Sequence, residues 1–231
     1  MLEETRLDGG AMSRREQAKS ARRRRVVEAA HDLLREVDME GVSVKAIAAR
    51  SGLSAATVYN LFGSKAAVLS QVFDLDLRAF EEKVAQANSN DGLDRIFDAI
   101  AIAAELYRGD PNFYRLTMVA RGGSRRDLGL DAAVGEPRMR FWRRQVQQAI
   151  DEGWLRRDTE AAVISVLLVQ IVAGALLDWA NDAISVDQLE VETSFGFAAV
   201  LASFAVKSAQ PRLRRRMAVL SQAIITRSRA A

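Results

Sequence analysis

One histidine and no cysteine leave this chain of 231 residues with few groups that could perform catalysis. The absence of Cys excludes a thiol nucleophile, a disulfide and a cysteine-held zinc or iron–sulfur site. A Ser-His-Asp hydrolase would have to use His31, which lies at the edge of an apolar helical face and is better interpreted as a boundary residue. No Gly-rich phosphate loop and no defensible carboxylate pair stands out. We therefore expect a binding protein, with no enzymatic activity, metal or cofactor.

The net charge of +3 conceals an uneven distribution of charge along the chain. Residues 12–65 carry 11 Lys or Arg against six acids, residues 66–192 carry 14 against 21, and residues 193–231 carry seven against none. Four of these cations are consecutive: Arg22, Arg23, Arg24 and Arg25. Four like charges at a helix start oppose the helix dipole, which favours an anionic partner over a merely solvated helix start.

Two short helices joined by a glycine turn are predicted between residues 43 and 63. The apolar spacing predicts helices over Val44–Arg50 and Ala55–Leu61, with Ser43 and Ser54 as N-caps. Gly52 permits the left-handed backbone that such a turn needs. This is the arrangement of a helix-turn-helix, although a plain helical corner has the same pattern. Small and polar residues face outward from the second helix and could approach base edges in a major groove: Ser54, Ala55, Ala56, Thr57, Tyr59 and Asn60.

The segment from Val26 to Phe73 resembles the DNA-binding region of the TetR (tetracycline-repressor) family of bacterial regulators. The resemblance is carried by Thr57-Val-Tyr59, Phe62, Ser64-Lys65 and Val68-Leu69, and it covers about a fifth of the chain. It implies that Tyr59 and Lys65 contact DNA phosphates and that Ser43, Val44 and Lys45 lie along the DNA backbone. It also implies that Ala55, Ala56, Thr57 and Asn60 face base edges, and that Arg22 to Arg25 add phosphate or minor-groove contacts.

The rest of the chain also shows helical periodicity, which predicts an all-α fold without a sheet. We expect further helices near residues 93–108, 111–120, 137–152, 159–182, 187–208 and 211–228. We divide the chain into a flexible basic arm (1–21), a three-helix helix-turn-helix domain (22–66) and a helical domain (67–231). The longest apolar run, Ala161 to Leu177, has 17 residues, fewer than the ~20 that a membrane span needs, so we expect a helix buried on most of its circumference.

The resemblance implies that residues 67–231 bind a small molecule and form a dimer. Aromatic and soft residues of the middle helices, with one polar amide, are the candidates for a largely apolar ligand pocket: Phe97, Ile100, Tyr107, Phe113, Tyr114, Met118, Met139, Trp142 and Gln170. Small and apolar residues of two later helices are the candidates for a homodimer interface: Ala162, Val166, Val169, Ala173, Leu176, Phe195, Ala198, Ala199, Ala202 and Val206. Both sets are also compatible with the core of a monomer.

We therefore expect a cytoplasmic, nucleoid-associated bacterial protein that binds double-stranded DNA at a palindromic operator as a homodimer. A mostly apolar small molecule would release the repressor from the operator. The alternative is a DNA-binding architectural protein that binds no ligand. The basic C-terminal segment, with Arg212, Arg214, Arg215 and Arg216, is compatible with a second nucleic-acid site or with a helix that faces the acidic middle of the chain.

Overall fold

The computed structural model describes residues 13–37, 41–122 and 130–228, and this part of the chain is built from helices. The helices are α1 (Arg14–Glu36), α2 (Val44–Ser51), α3 (Ala55–Phe62), α4 (Lys65–Gln86), α5 (Gly92–Gly109), α6 (Pro111–Gly122), α7 (Leu130–Asp151), α8 (Ala161–Ala180), α9 (Val186–Phe204) and α10 (Gln210–Ser228). Apart from an isolated bridge between Leu155 and Ala205, the described residues contain no strand. The predicted all-α fold is confirmed.

Helix α1 begins at Arg14, within the segment expected to be a flexible arm. The Ser13 hydroxyl accepts a hydrogen bond from the Glu16 N–H, and the Glu16 carboxylate accepts one from the Ser13 N–H. This capping box starts the helix among exposed residues, which have no apolar period to reveal it. Residues 14–21 are therefore helical, which corrects the expected flexible arm there, while residues 1–12 of that arm lie outside the described residues.

The helix-turn-helix forms as its capping residues predict. The Ser43 hydroxyl accepts from the Ala46 N–H at 3.1 Å, and the Ser54 hydroxyl accepts from the Thr57 N–H at 3.1 Å. Between them Gly52 adopts φ 64°, the left-handed conformation that the turn requires. The two N-caps and the role of Gly52 are confirmed.

The N-terminal helices share their core with the rest of the protein. Val26 and Leu34 of α1 and Val58 of α3 belong to the same buried cluster as Phe113 of α6 and Trp179 of α8. A second cluster is centred on α5, α7 and α9. The first cluster therefore packs α1 and α3 together with α6 and α8 in one continuous core.

Helix α7 is longer than the predicted helix over 137–152. It begins at Leu130 and continues through Pro137, the residue at which the predicted helix begins. A proline inside a helix removes one backbone hydrogen bond and does not always end the helix. The longer α7 extends the wall that faces α4.

Helix α8 has 20 residues and a mean hydropathy of 2.2, enough by length and composition to cross a membrane. The expectation that this segment is too short is therefore wrong. One such helix is weak evidence for a membrane span, because core and interface helices of other proteins pass the same test. Part of α8 packs against α6, α7 and α9, and part of its apolar surface stays exposed.

The basic helix α10 faces the acidic start of α5. Arg212 lies 2.6 Å from the Asp91 carboxylate, and the Arg216 guanidinium lies 3.5 Å from Asp94 and 4.0 Å from the ring centroid of Phe97. Arg214 and Arg215 are exposed. Two of the four arginines thus hold α10 on α5, in agreement with the second of the two interpretations of this segment.

Candidate DNA-binding surface and ligand cavity

The exposed face of α3 carries most of the residues proposed to read DNA. Ala55, Ala56 and Asn60 are exposed, and Tyr59 is 53% exposed although it is a large aromatic residue. Thr57 is half-buried, and its hydroxyl lies 2.9 Å from that of Ser54. The cap therefore fixes the position of the Thr57 side chain at the N-terminus of α3, where backbone N–H groups also attract phosphate.

The predicted backbone-contacting residues lie at the N-termini of α2 and α4. Ser43 and Lys45 are exposed, whereas Val44 is half-buried and packs against the core. Lys65 is the first residue of α4, and partial burial lowers the pKa of its ammonium below the usual value. Lys45 and Lys65 thus lie near the N-termini of the two helices that precede and follow α3 in the chain.

The arginine run does not present four equivalent cations. Arg23 donates to the Leu61 carbonyl and lies 4.1 Å from the ring centroid of Phe62, and Arg25 donates to the Ser51 carbonyl at 2.5 Å. Arg22 and Arg24 are exposed, with only intrahelical contacts to Ala18 and Glu28 among the described residues. Arg23 and Arg25 therefore fasten α1 to the C-terminal ends of α3 and α2, which leaves Arg22 and Arg24 for an external anion.

A cavity of about 50 Å³ lies between α4, α5, α6, α7, α8 and α9. Most of its wall is apolar or aromatic, and four polar residues interrupt it: Asp76, Tyr114, Arg138 and Thr193. The Tyr114 hydroxyl donates to the Asp76 carboxylate at 2.6 Å. Burial raises the pKa of Asp76, although the bond from Tyr114 and the charge of Arg138 partly offset this effect. The remaining lining residues are Leu77, Phe80, Ile100, Ala103, Leu106, Tyr107, Phe141, Trp142, Val172 and Leu189.

The N-terminal region matches a known family of regulators. Residues 26–72 match the family model for bacterial regulatory proteins, tetR family, and this segment contains α2, α3 and the start of α4. Over these residues the chain is similar to bacterial regulatory proteins of the tetR family.

Solved structures of TetR-family proteins share the fold over most of the chain. Thermus thermophilus FadR, in complex with lauroyl-CoA, has a TM-score of 0.65 and 19% identity, over 80% of this chain and 96% of that one. A regulator from Rhodococcus sp. RHA1 has a TM-score of 0.63 and 20% identity, over 80% and 97%. TylP of Streptomyces fradiae has a TM-score of 0.59 and 24% identity, over 89% and 99%. No curated protein matches the chain.

The structure places the proposed pocket residues in several environments. Ile100, Tyr107, Tyr114 and Trp142 line the cavity. Phe97 and Phe113 are buried outside it, and Met139 is half-buried outside its lining. Gln170 is exposed on α8, far from the expected interior position, and the Met118 side chain lies outside the described residues.

Sequence reasoning missed three polar residues of the cavity: Asp76, Arg138 and Thr193. A signal existed for Asp76, because it lies three residues after Phe73 and four before Phe80 on the apolar face of α4. An acidic residue is unusual on the apolar face of an amphipathic helix. Arg138 and Thr193 had no comparable signal, since α7 is rich in arginine and α9 is rich in small residues.

The proposed interface residues also separate into buried and accessible groups. Leu176 and Ala198 are buried within the chain, so they are unavailable to a second copy. Val166 is 45% exposed, whereas the remaining candidates are half-buried: Ala162, Val169, Ala173, Phe195, Ala199, Ala202 and Val206. Three further apolar residues of α8 are also exposed, although they are not among the predicted interface residues: Val163, Leu167 and Leu177 are 56%, 43% and 50% exposed.

Proposed function

We propose that this regulator is a ligand-responsive repressor that binds a palindromic operator as a homodimer and leaves it when a mostly apolar small molecule occupies the cavity. The observation that carries the proposal is the position of α4. Its first residue, Lys65, is a proposed phosphate contact, and Asp76, Leu77 and Phe80 lie in the cavity wall. Eleven residues of helix separate the two sites, roughly 17 Å at 1.5 Å per residue.

The size of the cavity suggests how a ligand would act. A site of about 50 Å³ holds only a few water molecules, so a larger ligand must displace the helices that surround it. Displacement of α4 would move Lys65 and, through the shared core, α3, which is the proposed recognition helix that reads DNA. The two recognition helices of a dimer must match successive major grooves about 34–36 Å apart, so a small shift is enough to weaken DNA binding.

The homodimer is supported by the exposed apolar stripe of α8. We place Val163, Val166, Leu167 and Leu177 at the contact with the partner, where α8 and α9 of two copies would form a four-helix bundle. Pairing would bury this apolar surface between the two copies. It would thus remove from water the side chains of α8 that a single chain leaves exposed. The protein would then act in the bacterial cytoplasm, associated with the nucleoid.

Similar proteins support a ligand role without defining the ligand. The FadR structure from Thermus thermophilus contains lauroyl-CoA and is described as a transcriptional repressor. Another solved structure with the same fold is described as a gamma-butyrolactone receptor. Both descriptions are compatible with a small molecule bound among the C-terminal helices of this chain.

Selection of bound sequences from a random double-stranded DNA library tests the proposal. We expect an inverted repeat whose half-sites are spaced for two recognition helices on one face of the DNA. A selected site without two-fold symmetry would contradict the dimeric mode of binding. Failure to enrich any sequence would contradict a sequence-specific regulator and favour the architectural alternative.

A further inference from the structure

We propose that the cavity binds the carboxylate of an amphipathic organic acid, with Arg138 and Thr193 holding the head group and aromatic side chains covering its apolar body. This inference rests on the proposed function, since it names the chemical class of the small molecule for the same site. It is carried by two polar groups of the cavity wall that other described residues do not satisfy.

Arg138 is a half-buried cation without an ion-pair partner among the described residues. Other arginines of the same half of the protein do have one: Arg144 lies 2.7 Å from Glu81, and Arg212 lies 2.6 Å from Asp91. Asp76 is close enough to respond to the charge of Arg138 but lies beyond ion-pair distance. A guanidinium in this position offers parallel N–H donors that match the geometry of a carboxylate.

Thr193 provides the second unsatisfied group. Its side chain is 1% exposed and lines the cavity, and its hydroxyl has no hydrogen-bond partner. Buried hydroxyls are normally hydrogen-bonded, because the loss of water is otherwise uncompensated. A carboxylate oxygen would accept from this hydroxyl while the second oxygen accepts from Arg138.

The charge of the cavity wall disfavours a cationic ligand. Asp76 is the acid in the described wall, and it already accepts the hydrogen bond from Tyr114. Its burial also favours the neutral carboxyl, as the raised pKa of Asp76 indicates. The ammonium group of an amine would therefore be attracted only weakly by Asp76 and would be repelled by the positive charge of Arg138.

The remainder of the wall fits an apolar body. Phe80 and Phe141 lie with ring centroids 4.9 Å apart, and Phe141 and Trp142 lie 5.0 Å apart in an edge-to-face arrangement. Tyr107 and Tyr114 form a similar pair at 4.7 Å. These rings would contact an aromatic or aliphatic group on either side while the head group stays at Arg138.

The experiment compares matched head groups by isothermal titration calorimetry on the full chain. Phenylacetate, phenylacetamide and phenethylamine form one series, and octanoate, octanamide and octylamine form a second. We expect the carboxylate of at least one series to bind about tenfold or more tightly than its amide, because a charge-assisted hydrogen bond is replaced by a neutral one. The amine should bind most weakly.

Variants assign the preference to the proposed residues. Arg138→Gln should remove the tenfold preference for the carboxylate, Arg138→Lys should retain part of it, and Thr193→Val should reduce it with little change of shape. Arg140→Gln is the matched control, since Arg140 is exposed on the same helix and lines an outer groove instead of the cavity. Circular dichroism shows that each variant is folded before titration.

Three results would overturn the inference: an amine that binds most tightly, an amide equal to its carboxylate in both series, or no binding by any of the six compounds. Operator affinity, measured in the same preparations by fluorescence anisotropy, separates these failures from failure of the proposed function. A protein that binds its selected operator but shows no carboxylate preference remains a DNA-binding regulator. A protein that binds no DNA sequence contradicts the proposed function itself.

Discussion

The Arg35 guanidinium lies 2.5 Å from the Asp110 carboxylate and thereby joins α1, which precedes the helix-turn-helix, to the end of α5, which lines the cavity. Arg35 is in the last turn of α1, and Asp110 is the C-cap of α5. Asp110 also accepts from the Phe113 N–H in the first turn of α6, at 3.4 Å. The carboxylate is only 18% exposed, so this ion pair is less screened than a typical surface pair.

A double-mutant cycle with Arg35→Gln and Asp110→Asn should show that this pair stabilises the fold. We expect a coupling free energy of about 0.5–1 kcal/mol, near the upper end for partly exposed pairs. Chemical unfolding followed by circular dichroism measures it. The Arg156–Asp158 pair, whose side chains are 44% and 77% exposed, is the control and should give less coupling. Equal coupling in the two pairs would contradict a specific link between the halves.

The arginine run should separate into structural and DNA-contacting residues. Arg23→Ala and Arg25→Ala should each lower the free energy of unfolding by about 1–2 kcal/mol, because each leaves a carbonyl at a helix end without its donor. Arg22→Ala and Arg24→Ala should leave stability nearly unchanged and weaken DNA binding. Thermal unfolding and fluorescence anisotropy with a selected operator measure the two effects. Similar behaviour of all four variants would show that the division is mistaken.

Lys65 and Asn60 should affect DNA binding in different ways. Lys65→Ala should weaken binding to all sequences and reduce the salt dependence of the affinity by about one charge, because a phosphate contact is lost. Asn60→Ala should leave the salt dependence unchanged and alter which sequence is preferred, since an amide reads base edges. Anisotropy titrations at several salt concentrations, on selected and scrambled duplexes, distinguish the two. A loss of sequence preference with Lys65→Ala would reverse these roles.

Asp76 should make stability depend on pH. Burial raises its folded pKa above the ordinary value of 3.8, so the folded state retains a proton that the unfolded state has lost. Stability should therefore fall as pH rises from about 4 through the folded pKa and then level off. Asp76→Asn removes this contribution, so the Tm of the variant relative to the wild type should increase with pH across that range.

Thermal unfolding between about pH 4 and 8 tests this dependence. The groups whose charges act on Asp76 are Arg138 of α7, His31 of α1 and Asp110, and they are present in both proteins. Glu82→Gln, an exposed change on the same helix, is the control and should give a flat difference. A flat difference for Asp76→Asn would contradict the raised pKa.

The α8 stripe should hold the dimer together. Leu167→Glu places a charge on the proposed contact and should shift the protein from dimer to monomer in sedimentation equilibrium, with weaker operator binding as a consequence. Val219→Glu is the control, since Val219 is 66% exposed on α10 outside the stripe. A protein that remains dimeric with Leu167→Glu would place the interface elsewhere.

The sequence by itself determined the helix-turn-helix, because its signals are local. Serine caps and the left-handed Gly52 act within one turn of a helix, so the residue types alone predicted their roles. Resemblance over residues 26–73 then indicated the family. The start of α1 was missed because residues 14–21 are exposed on every side and carry no apolar period.

Only the tertiary structure decided which residues share the cavity and which face solvent. α8 is apolar around most of its circumference, so its pattern could not show that Leu176 is buried while Leu177 is exposed, or that Gln170 faces outward. Similarly, the sequence shows the positive charge of the four consecutive arginines but not their partners. Arg23 and Arg25 donate to carbonyls of α3 and α2, which are distant in the chain. Contacts between distant segments depend on how helices cross, and helix periodicity does not specify those crossings.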